Sequence, residues 1–471
     1  MKAGRFATFI LLTATTASAA HVVDCADAAA LQRALDDARP GDVIRVVGRV
    51  GEKTTFSYSK SGSAGNPVVV TAKPGTRAVI SGTLIPKNGK RADHMDVVRL
   101  AFDGGGANTD SCLQMVGESF RAINNVFTDC KPKNAILAND LPGQLIYGNV
   151  ILDSNHGIYI QNTYEKNGYK PVHRNVITRL TGCASNCYSL HAYSQSGSNS
   201  GIDVAENYFH SAPVALVGGT NPTTKHEKFR SNVLYDGGGA QMGYKDGCAQ
   251  IDDGSGNTFI RSQWQLDPLC SDADPNVIGP NTFYPDPAKG TYYSIRYRDA
   301  AKRQTAANPR DSWPGDTFLV PAGTTSIRVS AWFEPPAGSD CCKTWDLAAF
   351  RRNLALAGVK DPEAGARTLA QPPATAYWET DNEFEPGRGQ LAILRWGARE
   401  AGSASVPLPI PAGQAFTVTR SEDMPYGDPV LSGVYDGRAV TVPTTGEFQT
   451  YIVRAAASPP PAAVTPGGAV R

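Results

Sequence analysis

The chain of 471 residues lacks any charge bias: 45 Lys and Arg stand against 44 Asp and Glu, and charged residues make up only 19%. A net charge of +1 gives no global push towards nucleic acid or anionic membranes and says nothing against a local basic cleft. Past the first twenty residues no apolar run approaches the ~18 residues needed to cross a bilayer. Histidine is scarce, at 7, and His226-Glu227 has no second histidine to make a zincin. G-x-S-x-G, a P-loop and a G-x-G-x-x-G opening a helix are all missing.

What is present points to strands and turns. Gly (47), Pro (33) and Tyr (18) are frequent, a composition that argues against a helical bundle or coiled coil. Residues 1–19 read as a signal peptide, with a basic start, an apolar stretch Phe6 to Thr16 and the small-residue site Ala17-Ser18-Ala19. The mature protein is therefore expected to be secreted or periplasmic. Nine cysteines suit an oxidising compartment, and their odd number leaves at least one unpaired or unusually paired. Sequence-near pairings are Cys183–Cys187, Cys112–Cys130 and Cys248–Cys270. Their spacings match no common zinc pattern, so no metal site is assigned to them.

A short pattern recurs: asparagine, then a β-branched or aromatic residue, then usually a second apolar one. It occurs at Asn125, Asn149, Asn175, Asn207, Asn232 and Asn257. A strand-like run follows most of these, as in Ile158-Tyr159-Ile160-Gln161 and Leu190-His191-Ala192-Tyr193. No helical segment lies between them, which excludes βαβ units. The spacing of about 25 residues predicts one coil of a parallel β-solenoid per unit, each burying its inward side chains by stacking on its neighbours. The asparagines then form an internal hydrogen-bonded ladder. Ile146, Val172, Val204 and Phe229, three places before an asparagine, are expected inside. Asp203, Lys228 and Asp253, four places before, are expected outside and alternate in sign, which fits a solvated salt-bridge stack worth little better than a charge ladder. The long step from Asn175 to Asn207 places a loop near Thr181 to Tyr188. Residues 28–38 read as an amphipathic helix, with Leu31 and Leu35 on one face, capping the open end of the solenoid.

The opening Pro40-Gly41-Asp42-Val43-Ile44-Arg45-Val46, the segment Gly62 to Val70, Val79-Ile80-Ser81-Gly82 and His156-Gly157-Ile158-Tyr159-Ile160 resemble the coils of right-handed parallel β-helix proteins of the pectate-lyase-like superfamily. The resemblance spans roughly residues 22–265. It implies an all-β protein built on a right-handed parallel β-helix, and a secreted, polysaccharide-active role. The Asp-Pro-His-Asp signature of mannuronan epimerases and the paired aspartates of polygalacturonases are absent. The expected organisation is a β-helix over 20–265, an irregular connection with short strands over 266–375, a C-terminal β-sandwich over 376–455 and a disordered tail over 456–471.

Enzymes on such a scaffold place their groups on outward positions of neighbouring rungs, which lie ~4.8 Å apart. Alternation puts Tyr159, Gln161, His191 and Tyr193 outward on consecutive coils, with Gln114 and Asn139 in earlier coils and Gln241 and Lys245 in a later one. A Tyr/His/Lys face with amides beside it suits a polar, acidic chain. The expected reaction is β-elimination on a uronic-acid polysaccharide, which requires carboxylate neutralisation, a base and an acid. His191 or Lys245 is the candidate base and Tyr159 or Tyr193 the candidate acid. Gln114, Asn139, Gln161, Lys225, His226, Arg230 and Gln241 are the candidate substrate-binding residues, with His156 in the same second tier as Lys225, His226 and Arg230. Ca²⁺ is a candidate for the neutralising role, although Asp252-Asp253-Gly254-Ser255-Gly256-Asn257 lacks the closing glutamate of a calcium loop. The partner expected is a polysaccharide, with no nucleic acid or membrane, and the protein is expected to act as a monomer. Two other readings remain open. One is a glycoside hydrolase, for which Asp129, Asp153, Asp203, Glu227 and Asp236 are the outward acids. The other is a non-catalytic carbohydrate-binding or adhesin-like protein.

Overall fold

The computed structural model describes residues 20–455 except 106–109, 131–133, 140, 162–166, 181–186, 194–198, 218–223, 246, 272–273, 285–290, 299–307, 320–327, 333–346, 357–358 and 364. The expected leader, the loop segment 181–186 with Cys183, the Cys341-Cys342 pair and the C-terminal tail lie outside the described residues.

The chain winds into a parallel β-solenoid whose strands stack in three ladders. Sheet A stacks strands such as Leu145–Tyr147, Lys170–His173, Ile202–Ala205, Thr224–Arg230 and Ala249–Asp253. Sheet B stacks Val126–Thr128, Val150–Ile151, Val176–Ile177, Tyr208–His210, Val233–Tyr235 and Thr258–Ile260. Sheet C stacks Ser111–Met115, Asn134–Asn139, His156–Gln161, Leu190–Tyr193, Val214–Leu216 and Ala240–Met242. The helix Ala28–Asp37 closes one end, with Leu31 and Leu35 buried and Asp27 accepting from the Ala30 amide as its N-cap.

The asparagine ladder lies at the turn between sheets A and B. Asn125, Asn149, Asn175, Asn207, Asn232 and Asn257 are fully buried. The Oδ1 of Asn175 accepts from both the backbone N–H and the Nδ2 of Asn149, at 3.0 Å each. Its own N–H and Nδ2 donate to Asn207 Oδ1, and Nδ2 also reaches the Ile146 carbonyl. The same geometry links every member. The ladder runs one asparagine further than the repeat had suggested, through Asn281, and ends on the carboxylate of the buried Asp316. The residue before each asparagine has a left-handed backbone: Asn124, Gly148, Arg174, Glu206, Ser231 and Gly256 all have φ between 54° and 70°. A left-handed residue turns the chain sharply, and the asparagine amide then satisfies the backbone groups that the turn leaves unpaired.

The two apolar residues after each asparagine face opposite ways. Phe127, Ile151, Ile177, Phe209, Leu234 and Phe259 point inward, with rings such as Phe102 and Phe127 stacked at 4.8 Å. Val126, Val150, Val176, Tyr208 and Val233 point outward, yet they are also buried. The C-terminal module covers them. It is a five-stranded antiparallel sheet in the order Thr375–Asp381, Arg388–Arg395, Phe448–Ala455, Ala415–Arg420, Leu431–Val434, with a second pair Gly402–Val406 and Val440–Thr444. Ala392, Leu394, Phe448 and Ile452 pack on sheet B. Arg388, fully buried, donates to Asn124 Oδ1 and to the Gly148 carbonyl. Sheet B is thus covered on both faces, which is why its strands read as continuous apolar pairs.

The structure revises two expectations from the sequence. Coil stacking does not end near 265: Thr282–Tyr284, Thr317–Leu319 and Arg367–Leu369 continue sheet B, and Trp264–Cys270, Thr291–Arg298 and Arg328–Trp332 continue sheet C. Unequal sequence separations between the strands and the helix Leu347–Leu356 interrupt the spacing here, so the repeat is hidden. Asp203, Lys228 and Asp253 do share a register, but Asp203 is buried and pairs with His173 and Arg230, while Lys228 sits over the Tyr169 ring. They therefore form no alternating ladder. Cys112–Cys130 and Cys248–Cys270 are disulfide-bonded and Cys25 is a buried thiol. The two bonds place the folded chain in an oxidising, extracellular or periplasmic setting.

Replacing Asn175 by Ala leaves the buried Asn149 amide and the Ile146 carbonyl without their partners. At about 1–3 kcal/mol for each group, the Asn175→Ala variant is expected to lose about 3 kcal/mol. The loss is measured by the urea midpoint of the far-ultraviolet signal of the solenoid; an unchanged midpoint would contradict the ladder's role.

Candidate active site on sheet C

Strands His156–Gln161 and Leu190–Tyr193 are neighbouring rungs of sheet C, in the register Ile158 to Leu190, Tyr159 to His191, Ile160 to Ala192 and Gln161 to Tyr193. Ile158, Ile160, Leu190 and Ala192 are fully buried. Alternation then turns Tyr159, Gln161, His191 and Tyr193 outward, as the sequence had indicated. The Tyr159 and His191 rings meet edge-on at 5.1 Å, and His191 and Tyr193 lie 5.5 Å apart.

Two further rings complete the cluster. Tyr188 stacks on His191 at 4.3 Å, and His156 stacks on Tyr188 at 5.8 Å and on His191 at 5.9 Å. Strict alternation from Ile158 and Leu190 would have turned both inward, so Tyr188 was missed and His156 was ranked low. The alternation breaks at Gly157. A Cβ there would sit 2.3 Å from the Ser189 carbonyl, so the two rungs approach too closely for any other residue. The readable signal was the equal offset of three, from His156 to Tyr159 and from Tyr188 to His191. Both strands make the same break and stack the same positions.

Burial sets the charge of this cluster. It lowers the His191 pKa to about 4, with the neighbouring His156 adding to the effect, and it also lowers that of His156. Both imidazoles are therefore neutral near pH 7. Burial raises the pKa of Tyr159 and of Tyr188, so both phenols keep their protons. The Nδ1 atoms of His156 and His191 are buried with no hydrogen-bond partner.

The remaining sequence candidates divide. The Lys245 ammonium lies 5.1 Å over the Tyr244 ring, and Tyr244 is close enough to Tyr188 to raise its pKa further. Asn139 shares a register position with Gln161; its carbonyl accepts from Lys170 Nζ at 2.7 Å while its Oδ1 is buried and unpartnered. Gln114 aligns with Leu137, one rung short of Tyr159, so it sits two coils from the rings. Gln241 is separated from His191 by Ala215, and its amide donates to the Gly243 carbonyl.

Lys225, His226 and Arg230 are on sheet A instead, in the strand Thr224–Arg230. Asp252 accepts from the Tyr169 hydroxyl and contacts His226 Nδ1 at 3.0 Å, and Arg230 pairs with Asp203. This second cluster has no described contact with the His191 rings. Its position follows from the ladder to which the strand belongs, which residue identity alone does not disclose. The proposed hydrolase acids are similarly placed. Asp129, Asp153 and Asp236 occupy a second left-handed position, at the end of sheet B, and Asp153 and Asp236 pair with Arg179 and Arg261. Glu227 points into the core rather than outward, and burial raises its pKa well above the usual range. Asp253 accepts from Ser255 N and Oγ in a local turn. Among the described residues no group of three or more His, Cys, Asp or Glu side chains is arranged to hold a metal.

The chain matches no protein-family model and no curated protein. Among solved structures it is similar to an alginate lyase from Paenibacillus sp. str. FPU-7, with 18% identity and a TM-score of 0.30, covering 59% of this chain and 95% of that one. It is also similar to the PL6 family alginate lyase AlyGC, with 12% identity and a TM-score of 0.33, covering 66% of this chain and 49% of that one, so it spans about half of AlyGC.

The buried imidazole gives a pH test. An unfolded histidine takes its proton near 6.5, whereas folded His191 refuses it until about 4. The folded state is therefore fully stable with respect to this group above about 6.5 and loses stability as pH falls from there towards 4. In a histidine-selective NMR titration, His191 is expected to turn near pH 4, and its resonance is assigned by loss in His191→Gln. A midpoint near 6.5 would contradict the burial.

Proposed function

We propose that the protein is a secreted polysaccharide lyase that cleaves a uronic-acid polymer by β-elimination. The observation that carries this reading is the His191–Tyr159 pair, a neutral imidazole and a protonated phenol side by side on one outward face of adjacent rungs. Elimination needs an unprotonated base and a protonated acid in the same place at the same pH. Here burial shifts the two groups in the required directions.

In this reading the uronate carboxylate is neutralised by the Lys245 ammonium and by the amides of Gln161 and Asn139. His191 takes the C5 proton. The C5–H electrons form the C4=C5 double bond as the C4–O bond breaks, and Tyr159 or Tyr193 gives its proton to the departing oxygen. An entering carboxylate also raises the basicity of the imidazole, because an opposite charge favours the protonated form. An acidic polymer would therefore activate the base that acts on it. The pairing of Asp153 and Asp236 with arginines, and the burial of Asp203 and Glu227, supports elimination over a two-carboxylate hydrolysis.

The test is incubation with pectate, alginate and glycosaminoglycans. The expected product is an unsaturated uronate with its ultraviolet absorption band. New reducing ends without that band would mean hydrolysis, and binding without cleavage would mean an adhesin; either would overturn the reading. On at least one polymer that the wild type cleaves, His191→Gln is expected to lower kcat/KM by roughly 10²–10⁴-fold with an unchanged thermal transition.

A further inference from the structure

The aromatic cluster contains the same pair of groups twice. In one rung the order is His156 then Tyr159, and in the next it is Tyr188 then His191. Stacking the rungs puts Tyr188 beside His156 and His191 beside Tyr159, so the two histidines lie on one diagonal and the two tyrosines on the other. The distances are 5.8 Å and 5.1 Å within the pairs and 5.9 Å between the histidine rings. Building on the lyase reading, we infer that His156 and Tyr188 form a second base–acid pair beside His191 and Tyr159, and that the two pairs serve the two C5 epimers of a 4-linked uronate.

Three observations carry this. Both imidazoles have a buried Nδ1 with no partner among the described residues, a condition that costs about 1–3 kcal/mol for each polar group left unpaired. Among the described residues no contact holds either ring by that nitrogen, so neither histidine is kept in place as a structural hydrogen-bonding group. Both rings are driven towards the neutral form and both adjacent phenols towards the protonated form by the same burial. Finally, Gly157 is sterically required to bring the rungs close enough for the second pair.

The chemistry explains why two bases would be kept. In C5-epimeric uronates the C5 hydrogen lies on opposite faces of the sugar ring. A single base fixed beside a bound chain reaches one face, and geometry must be right before basicity matters. Both imidazoles approach from the sheet side, 5.9 Å apart, so the other epimer must turn its opposite ring face to the sheet, and its displaced C5 hydrogen then meets the second imidazole. In each case the histidine gains the C5 proton, C4=C5 forms as C4–O breaks, and the paired tyrosine gives its proton to the departing oxygen. Exchange with water then returns a proton to the tyrosine and removes one from the histidine.

The test measures kcat/KM on polymannuronate and polyguluronate, which are C5 epimers, for the wild type, His156→Gln and His191→Gln. Each variant is expected to lose on the order of 10²-fold on one polymer and less than about threefold on the other, with the two variants opposite in preference. Tyr188→Phe, which keeps the ring stack and removes only the hydroxyl, is expected to follow His156→Gln, so a folding defect in one variant does not decide the result. The inference is overturned if the wild type acts on one epimer only, if both histidine variants lose both polymers alike, or if His156→Gln loses neither; elimination itself stands in all three cases. Absence of any unsaturated product from wild-type protein overturns the lyase reading and this inference together.

Discussion

A side-chain amide repeated once per coil holds this molecule in register. Each buried asparagine is donor and acceptor at once, and its Oδ1 takes two N–H groups from the coil before it. The left-handed residue preceding it would otherwise leave turn amides and carbonyls unpaired in the interior. Because the ladder locks the turn between sheets A and B, neighbouring rungs keep the same phase. A slip of one residue would exchange every inward and outward side chain. The alignment of Tyr159 with His191 depends on that phase, so the candidate chemistry rests on amides in the turn between the other two sheets.

The ladder also ends in an informative way. Its last acceptor is the carboxylate of Asp316, which takes hydrogen bonds from the Asn281 N–H and the Tyr293 hydroxyl, while its own N–H donates to Glu363. Burial raises the pKa of both acids, that of Asp316 to about 7. A carboxylate can accept here but has no amide hydrogens to pass on, so the link to the next coil, at Arg367–Leu369, runs through the Asp316 N–H and Glu363 instead. Glu363 connects this point to the stretch after the helix Leu347–Leu356, where Phe350 and Leu354 are buried.

The C-terminal module determines which face of the rod is available. It lies on sheet B and buries the outward valines there, anchored by Arg388, by the Arg261–Glu447 ion pair and by the stack of Tyr235 on Phe448 at 4.4 Å. Among the described residues no contact joins that module to the outward rings of sheet C. Its polar groups are shifted by burial among neighbouring rings, without opposing charges, and the consequence is a neutral base and a protonated acid at one pH.

The coil repeat, the inward columns, the capping helix and the outward Tyr159–His191 pair were legible in the sequence, because they follow from local rules: a fixed spacing, period-two alternation and an asparagine at every turn. The end of the solenoid was not, since unequal sequence separations between the strands break the spacing after residue 265 while the strands continue to pair. Nor was the fate of His226 and Arg230, whose partners Asp252 and Asp203 lie a full coil away in the chain. Tyr188 and the place of His156 were hidden for a different reason. A close approach of two backbones at Gly157 breaks the alternation, and only the contact between rungs, which no stretch of sequence contains, turns those rings to the same side.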